Sequence, residues 1–284
     1  KRAVDLARRE TVPQGIEGRA ADGDTLGKVP KVLAVPSDQL TAHEAWKQTW
    51  QSHYDLLPDT DRVFLREVNS RRRPLDYARL KSFIGEDLNL HDFGIGQGDR
   101  LCVVIPNGPE AAVCFMGMSL QCTYAPLSTK LTRAALKFEF VDLPATAVVV
   151  FAGLPDSDDI LTVAASCGNL PIIEMFPSVD DVGLFTLQWR KGSKQLLPLS
   201  TGRVWPKRED VALVLHTSGT TNKPKVVPLT HGNISTGGLC IMSTLGLTPD
   251  DVCINIMPLF HIHGISVNVL VTALSGASVY ATTG

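Results

Sequence analysis

The sequence predicts an α/β fold, with parallel sheets covered by helices on both faces, and three observations carry that reading. Short apolar runs recur at residues 100–106 (RLCVVIP), 147–151 (AVVVF) and 211–216 (VALVLH). Each is short and apolar apart from Arg100 and His216 at the ends, which fits a strand buried on both sides. Segments with helical spacing separate the runs, and strands alternating with helices imply parallel pairing through crossovers. Open sheets of this kind bind ligands at the carboxyl ends of their strands.

The elements follow in chain order. Residues 1–45 mix Gly15, Gly18, Gly23 and Gly27 with charges and little periodicity, and read as an N-terminal extension. Residues 46–284 read as one large, incomplete domain with a candidate subdomain junction near 177–206. Leu80, Phe83, Ile84 and Leu88 fall at helical spacing, and Gly94, Gly96 and Gly98 end that helix. After strand 100–106, Asn107 is expected to cap a helix with Pro109 and Glu110 in its first turn. Thr132 caps the next helix, which ends near Asp142. Strand 147–151, helix 156–168 and strand 171–175 come next, then loops and a small hairpin up to Pro206. Strand 211–216 leads into a loop at 218–227 and a helix capped by Thr230. Strand 252–257, loop 258–264, helix 265–274 and strand 277–281 complete the order.

Composition narrows the function. The 284 residues are 44% hydrophobic and 20% charged with a formal net charge of −2, a globular balance without the basic excess of a nucleic-acid binder. No apolar run approaches the ~18 residues of a transmembrane segment, and no secretory signal opens the chain. The chain starts at Lys1, not methionine, so the natural N-terminus is expected upstream. Lys1, Arg2, Arg8 and Arg9 fit either the remnant of a transit peptide or a solvated helix end. Six cysteines form no C-x-x-C pair, which points to reduced, buried thiols and an intracellular site, cytoplasmic or peroxisomal.

The strongest chemical signal is the string Thr217-Ser218-Gly219-Thr220-Thr221-Asn222-Lys223-Pro224-Lys225. Hydroxyls and backbone N–H groups can wrap a polyphosphate, glycine admits close backbone approach, and lysine adds a point charge. Set between a strand and a helix, the loop is expected to use the position where phosphate sites form. It lacks the second glycine of G-x-x-x-x-G-K-[ST]. Gly94, Gly96 and Gly98 precede a strand instead of following one, so they are no dinucleotide fingerprint. His261 and His263 are a second signal. On a strand such a pair shares a face and could hold a metal; a packed core pair is the other plain alternative, and no metal site is assigned.

The string from Leu215 to His231 resembles the phosphate-loop motif of the adenylate-forming superfamily, which includes acyl-CoA synthetases, luciferases and nonribosomal adenylation domains. Pro258-Leu259-Phe260-His261-Ile262-His263-Gly264 is similar to that family's next core motif. Gly98-Asp99-Arg100, Pro106-Asn107 and Ala125-Pro126-Leu127 fit its weaker upstream pattern. The flavour is nearest to oxalate–CoA ligase. The resemblance implies the incomplete N-terminal domain of an ATP-dependent carboxylate–CoA ligase using ATP, Mg²⁺ and coenzyme A on a small carboxylic acid. A nonribosomal or luciferase-like ligase, or a non-catalytic nucleotide-binding pseudoenzyme, is the alternative. It implies that Thr217, Ser218, Gly219, Thr220, Thr221 and Lys225 hold the β- and γ-phosphates, that His261 lies at the reacting carboxylate, and that His263 lines the acyl pocket. His231 and Asn233 read as structural, at a helix start. Later family elements, among them a ribose-binding Asp and a catalytic lysine, have no counterpart before Gly284, so the chain by itself is expected to be inactive. Asn222 and Val226 stand where the family carries glycines. A β-branched residue suits a positive φ poorly, so Val226 is expected to crowd the loop.

Overall fold

A computed structural model describes residues 49–154, 157–217 and 224–282. The predicted N-terminal extension, 1–45, lies outside them.

The chain forms β1 (Val63–Glu67), β2 (Leu75–Asp76), α1 (Tyr77–Ser82), β3 (Arg100–Val104), α2 (Pro109–Met118), β4 (Thr123–Leu127), α3 (Arg133–Asp142), β5 (Ala147–Phe151) and α4 (Ser157–Ser166). It continues with β6 (Ile172–Pro177), β7 (Phe185–Trp189), β8 (Val211–Thr217), β9 (Lys225–Thr230), α5 (His231–Leu245), β10 (Val252–Asn255), a π-helical segment (His263–Leu270) running into α6 (Val271–Leu274), and β11 (Ser278–Ala281). Two sheets result, one of four strands in the order β10-β11-β1-β2 and one of seven in the order β7-β6-β5-β3-β4-β8-β9.

The predicted parallel pairing holds in both interiors, where β3 pairs with β4 and β5, and β11 with β1 and β10. Three edge strands correct it. β2, β7 and β9 pair antiparallel with β1, β6 and β8. The β6–β7 and β8–β9 pairings need only short connections, whereas a parallel neighbour requires a crossover. The strand expected at 171–175 is β6, and the small hairpin expected within 177–206 is replaced by the single strand β7, which pairs back onto β6. β1 and β2 had no counterpart in the sequence reading, yet Phe64 and Leu65 of β1 are fully buried.

Alternate residues of β3 face opposite layers. Leu101 and Val103 pack with α2, whereas Cys102 and Val104 pack with Leu136 and Phe140 of α3 and Ile160 of α4. Every residue of α2 is buried. A helix apolar on all sides has no wet face, and α2 lies in one core with β1 and β11 of the smaller sheet. α2 follows β3 and α3 follows β4, so the chain leaves these neighbouring strands toward opposite faces. Their carboxyl ends therefore form a topological switch point, where such sheets open a crevice.

Two capping expectations had different outcomes. Thr132 accepts a hydrogen bond from Ala135 N as expected, at 3.3 Å. Asn107 is not the cap of α2; Gly108 is, at a positive φ of 155°. The Asn107 side chain is directed elsewhere. Of the six cysteines, all free, Cys102, Cys114 and Cys122 are buried and burial raises their thiols, but Cys240 is exposed. Among the described residues, no helix is long and apolar enough to cross a membrane.

Candidate functional site

β8 supplies one end of the site. Ala212, Leu213 and Val214 bury it, and it pairs in parallel with β4 through Leu213 opposite Tyr124. Its last residue, Thr217, therefore emerges at the carboxyl end of the larger sheet. Lys225 opens β9 directly across from Thr217. The two ends of the predicted phosphate loop are thus register partners at the mouth of a hairpin. Ser218, Gly219, Thr220, Thr221, Asn222 and Lys223 lie outside the described residues.

This geometry corrects the expected strand–loop–helix arrangement. The loop joins two antiparallel strands, and α5 starts only after β9 has run back down the sheet, where Thr230 lies opposite Val211. The N-terminus of α5 is therefore at the far end of the hairpin and contributes no dipole to the loop. Its capping is self-contained. Thr230 Oγ1 accepts from Asn233 N at 3.1 Å, and Asn233 Oδ1 accepts from Thr230 N at 3.0 Å. Residues 225–227 were expected in the loop but belong to β9.

Val226 is likewise corrected. It lies in extended strand opposite His216, and its φ is not among the positive values. A β-branched side chain suits that backbone, so the expected strain at a positive φ is absent; the loop it was expected to crowd lies outside the described residues. His216, which the sequence marked only as part of the motif's lead, is held between two carboxylates of α3. Its Nε2 lies 2.8 Å from Asp142 Oδ2, and its Nδ1 lies 2.5 Å from Glu139 Oε2, out of line for a hydrogen bond. Phe138 covers the ring at a centroid distance of 5.5 Å. Burial raises the Glu139 carboxyl above its ordinary range, opposed by His216. This cluster ties α3 to the strand that feeds the loop.

The second motif lies beyond β10. His261 and His263 are both exposed, which removes the packed-pair alternative, and neither is on a strand, which removes the premise of a shared metal face. His261 N donates to Pro258 O at 3.2 Å, and His263 N donates to His261 Nδ1 at 3.2 Å. A nitrogen that accepts a backbone N–H carries no proton of its own, so the neutral His261 ring has its proton on Nε2, as a donor free for an anion. Gly264 makes this turn feasible, because a Cβ there would lie 2.4 Å from Pro258 O.

The two motifs lie at one end of the fold. Asn107, just past β3, reaches both Leu259 and the end of β11, so the carboxyl ends of the two sheets meet. Ile105, Asn107, Pro126, Leu127, Leu259 and Phe260 line a small, partly open cleft there. Asn107 brings a polar side chain to it, and it opens at the switch point.

The AMP-binding enzyme family matches residues 88–284, more than half of the chain. The chain belongs to this family. An oxalate–CoA ligase from Arabidopsis thaliana is 31% identical to this AMP-binding chain over 216 residues, which are 72% of the chain and 39% of the relative. One from Saccharomyces cerevisiae is 32% identical over 187 residues, 59% of the chain and 34% of the relative. The AMP-binding chain thus spans about two fifths of the length of the curated relatives it matches. Among solved structures, apo MatB from Rhodopseudomonas palustris has a TM-score of 0.65 at 24% identity, covering 81% of this chain and 44% of its own. ATP-bound MatB has a TM-score of 0.64 at 25% identity, covering 80% and 43%. These likenesses establish the AMP-binding fold: open sheets with helices, as in the N-terminal part of adenylate-forming enzymes.

Proposed function

We propose that the protein is an ATP-dependent acid–thiol ligase that activates a small carboxylic acid as its adenylate and transfers the acyl group to coenzyme A. The observation that carries this reading is the placement of the phosphate-loop ends and the Nε2–H of His261 at one open end of the fold. In the first step a carboxylate oxygen bonds to the α-phosphorus of ATP, and the bond to the β-phosphate oxygen breaks. Pyrophosphate leaves with the electron pair. In the second step the sulfur of a thiolate bonds to the acyl carbon and AMP leaves.

Both steps bring anions together, so donors aimed at the developing charge lower the barrier. In this reading Thr217, Ser218, Gly219, Thr220, Thr221 and Lys225 hold the β- and γ-phosphates. His261 donates from Nε2 to the reacting carboxylate or the α-phosphate. His263 lines the acyl pocket. Mg²⁺, when bound with ATP, would neutralise phosphate charge. Among the described residues no cluster of three or more His, Cys, Asp or Glu side chains offers it a cage, and Glu139 and Asp142 are engaged by His216, so no step is routed through it.

The curated relatives point to small acids: oxalate for the two ligases above, and crotonobetaine or carnitine for relatives from Salmonella. Exchange of labelled pyrophosphate into ATP, measured with the natural protein and a panel including oxalate, crotonobetaine and carnitine, tests the reading. One acid should raise exchange well above the acid-free rate, and His261→Ala should lower it by about 10²-fold. ATP binding without acid-dependent exchange across a broad panel would favour a nucleotide-binding protein without ligase activity.

A further inference from the structure

Asn107 has no role in the reading above, and its expected role as a helix cap is absent. Its side chain instead joins three segments that are far apart in sequence. Asn107 Oδ1 accepts from Leu259 N at 2.8 Å, and Asn107 Nδ2 donates to Thr282 O at 3.2 Å. Leu259 is two residues before His261, and Thr282 follows the last residue of β11. The side chain thus stitches the carboxyl end of β3, in the larger sheet, to the His261 turn and to the carboxyl end of β11, in the smaller one.

The other end of the turn is tied to the same point. Thr282 Oγ1 donates to Asn255 O at 2.9 Å. Asn255 Oδ1 accepts from Met257 N at 3.2 Å and from Asn268 Nδ2 at 2.8 Å, while Asn255 Nδ2 donates to Met257 O at 3.1 Å. The segment 255–259 is therefore held at its start by Asn255 and near its end by Asn107, and His261 rises from it through its bond to Pro258 O. A short side chain bearing one acceptor and one donor meets both demands at 107. Asp keeps the acceptor but turns an oxygen toward Thr282 O, and Ala supplies neither group.

We propose that Asn107 is a positioning residue that fixes His261 relative to the larger sheet, and so to Thr217 at the end of β8. This rests on the ligase reading for its consequence but not for its geometry. A rigid stitch matters because misplacing a reacting or donor group by about 1 Å can cost 10²-fold in rate.

The test uses the natural protein with Asn107→Ala and Asn107→Asp. The first readout is independent of activity: hydrogen exchange at the Leu259 amide and the ring signals of His261, assigned with His261→Gln. Asn107→Ala should speed Leu259 exchange at least about tenfold and move the ring signals. Asn107→Asp, nearly isosteric, should keep Leu259 protected yet still move them. The second readout is acid-dependent turnover, in which kcat should fall about 10-fold or more while KM for ATP changes less than about threefold. Ring signals and Leu259 exchange unchanged from wild type in both variants would overturn the proposal. So would an unchanged kcat per folded molecule alongside a lowered melting temperature, since that is a purely structural role. If the wild-type protein has no acid-dependent exchange, the ligase reading falls, and the first readout still decides whether Asn107 places His261.

Discussion

Val226 illustrates how position decides the meaning of a residue. Where the resemblance expects a glycine, the backbone is extended and paired, with His216 across the ladder. Glycine would weaken that pairing, because it adds conformational freedom to the unfolded chain and packs nothing against the neighbouring strand. Val226→Gly should therefore lower stability by about 1 kcal/mol and leave pyrophosphate exchange at or below the wild-type rate, read by urea denaturation and the exchange assay. A faster exchange rate would show that the valine does crowd the site. His216 carries the same lesson. In sequence it is one more residue of an apolar run, and only folding sets it between Glu139 and Asp142, more than seventy residues earlier.

Among elements, the short 3₁₀ turn His53–Leu56 is anchored by a stack of rings. His53 lies on Phe115 of α2 and on His231 of α5, each with a centroid distance of 5.7 Å, and its Nε2 donates to Met116 O at 2.9 Å. Both imidazoles are enclosed. Burial lowers His53 to about 4, opposed by its bond to Met116 and by Asp55, and burial together with the neighbouring His53 lowers His231 to about 3. These folded-state values lie below the ordinary imidazole value of 6.5, so the unfolded chain binds the protons first. The stabilising contribution is complete above pH 6.5 and is lost as pH falls toward 4 and below. For His53 the loss amounts to about 3 kcal/mol. Urea denaturation from pH 7.5 to 4 should show stability falling with acid, and His53→Phe, which keeps the stack, should flatten that slope by about one proton. An unchanged slope would mean that His53 is charged in the folded protein. The sequence marked His231 as structural at a helix start but gave no sign of His53, because a stack between residues 178 positions apart leaves no local period.

At the scale of the whole molecule, two sheets must be held so that their carboxyl ends open together. Arg72 joins them from within. It donates to Glu67 at the end of β1 with a shortest distance of 2.9 Å, to Glu110 in the first turn of α2 at 2.5 Å, and to Ser178 O after β6 at 3.2 Å. Glu110 is 8% exposed, so a lost partner would strand a buried charge. Arg72→Leu should reduce unfolding free energy by about 3 kcal/mol, measured by denaturant titration, whereas the exposed pair Arg62–Asp250 should tolerate Arg62→Leu within about 1 kcal/mol. Equal effects of the two substitutions would refute the central role of Arg72.

The sequence by itself determined the family, the alternation of strands and helices, and the two motifs that mark the candidate site. These are local signals: apolar runs fix β3, β5 and β8, Thr132 and Thr230 cap their helices, and the order of residues around Thr217 and His261 is readable without reference to distant chain. Tertiary structure alone decided that three strands turn antiparallel at the sheet edges, that the phosphate loop closes a hairpin far from the start of α5, that Val226 sits in unstrained strand, and that Asn107 is a stitch and not a cap. Each of these depends on partners outside the local sequence window, from about ten residues away for Val226 to well over a hundred for Asn107. A polar side chain near a helix start can satisfy a local N–H or a distant one, and only the packed fold shows which of the two it meets.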